Sequence, residues 1–125
     1  MSFDWTDYVD LSVELVGSGR MRSSREARLR CALSRAYYAA FCLARNQLRD
    51  HDGHSIPAYG QAHQYVASAF AASADPRRAS IGVLLARMRR ERNRADYQDN
   101  VLNLAALATT QLQYAQRIVA LLKTL

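Results

Sequence analysis

Near the end of the chain, Val101, Ala105, Ala108, Leu112, Ala115, Val119 and Leu122 follow one another in alternating steps of four and three. An α-helix turns once in about 3.6 residues, so this spacing lines one face with apolar side chains. Such a helix must lie lengthwise against other helices. The same arithmetic appears upstream, where Leu29, Leu33, Ala36, Ala40, Leu43 and Gln47 trace a stripe with one polar member. Ile81, Leu85 and Met88 begin a third stripe. Alanine, leucine and arginine, all strong helix formers, dominate the composition. With 125 residues, half of them hydrophobic and only two of them proline, the chain can bury a core without disulfides or metal. These features predict a single all-α domain over residues 1–125, an antiparallel bundle of four to five helices.

The punctuation is equally readable. A first helix is expected from about Asp4 to Val16, capped by Asp4 and ended by Gly17-Ser18-Gly19. A second starts at Ser23 or Ser24 and runs to about Asp50, and a loop with Gly53, Pro57 and Gly60 follows. The third covers about Gln61 to Ser73. Asp75 caps the fourth, with Pro76 in its first turn, and that helix reaches Tyr97. Asp99 or Asn100 is the expected cap of the fifth.

The formal net charge is +6 and is unevenly distributed. Residues 20–49 hold eight arginines against Glu26, and residues 77–97 hold seven against Glu91 and Asp96. A chain this basic attracts phosphate or acidic protein surface by long-range steering. Sixteen of the seventeen basic residues are arginine, which a GC-rich coding sequence also produces, so placement matters more than total. No basic-then-apolar leader and no membrane-length apolar run is visible. Cys31 and Cys42 fall on one predicted helix about 16 Å apart, too far to pair. They read as packing residues in a reducing cytoplasm.

Placement singles out the fourth helix. Its stripe of Ile81, Leu85 and Met88 next lands on Arg92, then Ala95. A guanidinium on a packing seam must be paired or must face a partner or cavity. Asp96, one turn on, is available either for a structural bridge or to shape a site. Arg87, Arg89, Arg90 and Arg94 are expected on a solvated face. On the second helix Arg35, Tyr38, Cys42, Arg45 and Arg49 form a row in which guanidinium forks alternate with an aromatic, a pattern suited to phosphate contact and base stacking or to an ordinary surface. Asp50, His51, Asp52 and His54 could suggest a metal site. In a glycine-containing loop without a distant ligand, they read more simply as surface. No metal or cofactor is expected.

The segment ALSRAYYAAFCLARNQL resembles the second helix of HEPN-family domains. His63 followed by Val66 and Phe70 resembles the third, and RNRADY at 92–97 resembles the signature segment. The resemblance spans about residues 1–122 in helix order and spacing. It implies a homodimer formed through the signature helices. In the catalytic branch an arginine, a polar residue and then a histidine cleave RNA without metal, with the RNA 2′-hydroxyl as nucleophile. It also implies possible pairing with a minimal nucleotidyltransferase in a toxin–antitoxin or defence module, while other members bind nucleotides without cutting. Carried onto this sequence, Arg92 is the motif arginine, Asn93 the polar residue, and Tyr97 stands where the histidine would be. An imidazole exchanges protons near neutrality and an ordinary phenol does not.

Two functions follow as expectations. One is a metal-independent ribonuclease-type toxin or defence component, with Arg92, Asn93, Asp96 and Tyr97 catalytic. The other is a non-catalytic nucleotide-binding or docking partner of a nucleotidyltransferase, with Arg35, Tyr38, Arg45, Arg49 and His63 meeting RNA or nucleotide. A purely structural dimerisation bundle is the third alternative.

Overall fold

The computed structural model describes residues 2–17 and 19–125, so Ser18, the middle of the expected break, lies outside the described residues. Five α-helices form a bundle, and no strand occurs among the described residues. They are α1 (Asp7–Val16), α2 (Arg25–Asn46), α3 (Gln61–Ala71), α4 (Pro76–Tyr97) and α5 (Leu104–Leu122), with a π-helical turn over Gln47–His51 extending α2.

Most boundaries follow from local chemistry. Ser24 Oγ accepts the Ala27 N–H at 3.1 Å and starts α2. Asp75 Oδ1 accepts the Arg77 N–H at 2.9 Å, and Pro76 supplies the first turn of α4. Two expectations need correction. Asp4 does not cap α1, because its carboxylate takes the Thr6 N–H at 3.0 Å and the Thr6 hydroxyl at 2.6 Å, closing a turn before the helix. Neither Asp99 nor Asn100 caps α5, which begins after Asn103 in the left-handed region at φ 56°. The reason is Arg30, whose guanidinium bonds the carbonyls of Ala95 (2.7 Å), Gln98 (2.6 Å) and Asp99 (2.9 Å) and holds that stretch as a connection.

α2 is the central element, buried along much of its length from Leu29 to Leu48. α1 runs antiparallel to it and is tied by Ser12 Oγ donating to the Ala32 carbonyl at 2.8 Å. α4 is also antiparallel to α2, since Arg30 meets Ala95 at one end and Asp52 meets Arg78 at the other. The core gathers Tyr37, Leu48, Val66, Phe70, Ile81, Leu85, Met88 and Ile118. On α5 the deepest positions are Ala108, Gln111, Ala115 and Ile118. Leu112, Val119 and Leu122 flank them, and Ala105 is exposed, so the packed face is rotated from the simple four-and-three stripe. Gln111 tolerates burial because Nε2 donates to the Met88 carbonyl at 3.1 Å.

α3 and α4 meet at Gly82. A Cβ there would come within 2.6 Å of the Ala67 carbonyl oxygen and would also strike the Ala71 amide nitrogen. Only glycine permits this approach. Cys42 is buried as expected, whereas Cys31 is exposed and is not a core residue. Among the described residues no helix is long and apolar enough to cross a membrane.

Candidate functional site

Arg92 sits on the α2–α4 seam with 16% of its side chain exposed. Its Nη2 donates to the Tyr38 hydroxyl, and its Nη1 donates to Asn93 Oδ1 at 2.9 Å. Nε lies 2.9 Å from Asp96 Oδ2 but makes no hydrogen bond, so charge rather than an aligned N–H holds that pair. Ser34 Oγ approaches the same Asp96 oxygen at 3.5 Å. The guanidinium carbon is 5.0 Å from the Tyr38 ring centroid and 6.0 Å from that of Tyr97. The seam arginine is therefore paired by Asp96 and flanked by two aromatic rings. Tyr97 itself is 76% exposed.

The row on α2 divides. Arg35 lies 4.9 Å from the Tyr38 ring and 5.1 Å from that of Tyr8, so it joins the Arg92 cluster through Tyr38. Arg45 stands apart, 5.5 Å from the Trp5 ring and bonded to Asn46 Oδ1 at 3.0 Å. Arg49 pairs with Asp50 at 2.8 Å on the π-helical turn. That wider turn breaks the α-helical register of the row, and neither Arg45 nor Arg49 reaches Arg92.

His63, at the start of α3, is built into this region. Its ring stacks on Phe41 at 4.2 Å with an interplanar angle of 21°. Its Nδ1 is 2.6 Å from the hydroxyl of Tyr37, a residue only 1% exposed. Among the described residues the buried phenol has no other partner, and burial holds its pKa far above the ordinary phenol range. If His63 donated, the Tyr37 proton would be left unsatisfied in the core. The favoured arrangement has Tyr37 donating to Nδ1, which places the imidazole proton on Nε2. Burial, then the positive charges of Arg89 and Arg92, holds His63 below its ordinary pKa, so it is neutral near pH 7.

Spacing alone missed the contributions of Tyr37, Arg30, Arg89 and Arg90. Of the arginines expected on a solvated face, Arg87 and Arg90 are exposed, and Arg94 pairs with Glu91 at 2.8 Å. Arg89 is half-buried, and with Arg90 it lines a groove shared with His63 and Asn93. The signal was available, because Arg89 and Asn93 are one turn apart on a face that continues from Leu85.

Asp50 on the π-helical turn and Asp52 and His54 after it each have other partners. Asp52 takes a two-point contact from Arg78 at 2.7 and 3.1 Å, and His54 Nδ1 lies 2.7 Å from the Tyr65 hydroxyl. Among the described residues no three His, Cys, Asp or Glu side chains converge as a ligand set. Compared with family models, with curated proteins and with solved structures, the chain matches none of them.

Proposed function

We propose that this protein is a HEPN-like domain that acts on RNA or nucleotides, as a metal-independent ribonuclease-type toxin or defence component. The observation that carries this reading is the Arg92 side chain, held on the seam by Tyr38 and Asp96 and linked to Asn93. A guanidinium fixed in this way loses little further freedom when it meets a phosphate, and its fork matches two phosphate oxygens. In RNA cleavage of this type the 2′-oxygen bonds to phosphorus and the P–O5′ bond breaks. The 2′-hydroxyl proton leaves, and the departing 5′-oxygen gains one. Arg92 and the Asn93 amide would stabilise the charge gathering on phosphorus, with Asp96 and Tyr97 shaping the site. A second copy facing the same helix would complete the cleft, and the cytoplasm is the proposed setting.

The test is single-stranded RNA incubated with protein in EDTA. Wild type should cleave, and Arg92→Ala should lose about a hundredfold or more of that rate. Intact RNA at large protein excess would sink the catalytic reading.

A second reading, non-catalytic nucleotide binding or docking of a minimal nucleotidyltransferase, is favoured by one observation. Tyr97 is 76% exposed and, among the described residues, its hydroxyl has no hydrogen-bond partner, so no such bond orients it for proton transfer. This reading predicts nucleotide or RNA binding that weakens with salt and with Arg35→Ala or Arg92→Ala, without turnover. Calorimetry that detects no heat with nucleotides, RNA or such a partner would remove it.

A further inference from the structure

The groove between α3 and α4 is chemically one-sided. It encloses about 470 Å³, a volume suited to a small ligand. His63 and Ser68 line it from α3, and Arg89, Arg90 and Asn93 line it from α4. Leu85 forms part of an apolar floor, and no carboxylate is among the lining residues. Sixteen arginines and eleven acidic residues are distributed over this chain, and several of the arginines are paired, Arg78 with Asp52 and Arg94 with Glu91 among them. Among the described residues, Arg89 and Arg90 have neither an ion-pair partner nor a hydrogen bond.

Two of the uncharged members, Asn93 and His63, also turn donors to the groove, beside Gln64 and Ser68. Asn93 Oδ1 is occupied by Arg92 Nη1 at 2.9 Å, which leaves the amide hydrogens of Asn93 as its free polar groups. His63 is fixed by its stack on Phe41, and its Nδ1 is occupied by Tyr37. The tautomer argued above leaves Nε2–H as its remaining donor. Two unpaired guanidinium groups, an amide NH2 and an imidazole N–H around one groove lack only an acceptor with several oxygens and negative charge.

We infer that the α3–α4 groove is an anion site adjoining Arg92 that takes the terminal phosphate of a nucleotide or of an RNA strand. The inference rests on the reading of the protein as RNA- or nucleotide-directed only for the carrier of that phosphate. The groove's own chemistry selects the anion. Neutral His63 matches this role, because an imidazole that already feels Arg89 and Arg92 donates a hydrogen bond without adding a third positive charge before the ligand arrives.

The experiment is NMR of the full chain, following the His63 ring during titration with pyrophosphate, adenosine 5′-monophosphate and, as the uncharged control, adenosine. Pyrophosphate and the monophosphate should shift the ring signals, and adenosine should not. Bound anion should also raise the protonation midpoint of His63, because it offsets Arg89 and Arg92 from α4, and the groups that face the ring from α2 are the phenols of Tyr37 and Tyr38. Arg90→Gln, an exposed change, should weaken the monophosphate roughly tenfold, the loss of one charge-assisted hydrogen bond. Asn93→Asp should weaken it further by placing a carboxylate in the groove. Tighter binding of a 5′-phosphorylated than of a 5′-hydroxyl oligoribonucleotide would assign the phosphate to an RNA end. Monophosphate binding without that difference would assign it to a free nucleotide.

The inference is overturned if millimolar pyrophosphate, monophosphate and phosphorylated oligonucleotide all leave the ring signals unmoved, or if Arg90→Gln binds like wild type. Its failure is separable from that of the RNA reading. Arg92-dependent cleavage with a silent groove removes the groove alone. Phosphate binding in a protein that neither binds nor cuts RNA removes the RNA reading alone.

Discussion

From Pro76 to Leu85, α4 is committed to its neighbours. Asp75 caps it, Arg78 pairs with Asp52 and lies 5.5 Å from the Phe70 ring, Gly82 admits the α3 backbone, and Ile81 and Leu85 enter the core. From Ala86 to Tyr97 the same helix buries only Met88 and Ala95 and carries five arginines. Two of those, Arg92 and Arg94, have acidic partners, and Arg89 and Arg90 do not. One half of the helix is therefore anchored in the core, while the other carries charge above what folding uses. Stability and ligand chemistry should separate along its length.

The sharpest way to break that separation is Gly82→Ala. In an exposed helix interior the change would stabilise by about 1 kcal/mol. Here the added carbon meets backbone atoms of Ala67 and Ala71 that cannot rotate aside, so net destabilisation of about 1–3 kcal/mol is expected. Arg90→Ala, in the other half, should stay within about 0.5 kcal/mol of wild type. Urea unfolding of the two variants side by side decides it, and equal effects would erase the distinction between the halves.

Arg30 tests the junction where α4 ends. It reaches three carbonyls from α2 and pairs with Glu26 at 3.1 Å, with 20% of its side chain exposed. Arg30→Ala removes those bonds, but water can reach the Gln98 and Asp99 carbonyls. A loss of about 1–2 kcal/mol is expected. It should be accompanied by faster amide exchange over residues 96–99 and, under the proposed function, by weaker RNA cleavage, because Asp96 and Tyr97 lose their anchor. Unchanged exchange there would show that the helix end is held by α4 itself.

The two halves also differ in what could be read without coordinates. Asp75-Pro76, the apolar stripe and the landing of Arg92 beside Asp96 are local patterns with periods fixed by helix geometry, and the structure reproduces them. The features that were not foreseen depend on partners far along the chain. Gly82 is explained only by the α3 backbone opposite it, and Arg30 only by carbonyls more than sixty residues later. Arg49 leaves its row because the helix widens into a π-turn, which side-chain spacing does not signal. On the candidate site, Arg92, Asn93, Tyr38 and His63 could each be picked out along the chain, but separately. Their convergence, and the supporting role of Tyr37, came from tertiary packing. What spacing treated as solvated arginine surface is partly the wall of a groove.

The smallest expected effect is the most direct measure of that groove's field. His63 has its folded-state pKa depressed from the ordinary imidazole value of 6.5, chiefly by burial and then by Arg89 and Arg92. The unfolded chain therefore takes up this proton at a higher pH than the folded chain does. The associated stability is present above 6.5 and is lost as pH falls through that value and then through the lower folded-state pKa. Wild type should lose stability between about pH 7 and pH 5, the range in which histidine changes charge. His63→Gln should lose less over the same interval, although its overall stability is lower for want of the Phe41 stack. His51 and His54 are common to both proteins, so the difference between the two curves isolates His63. Pyrophosphate should shrink that difference by offsetting the two arginines. If the curves run parallel, the charge beside His63 has no effect on it, and the unpaired arginines of α4 belong to the solvent rather than to a site.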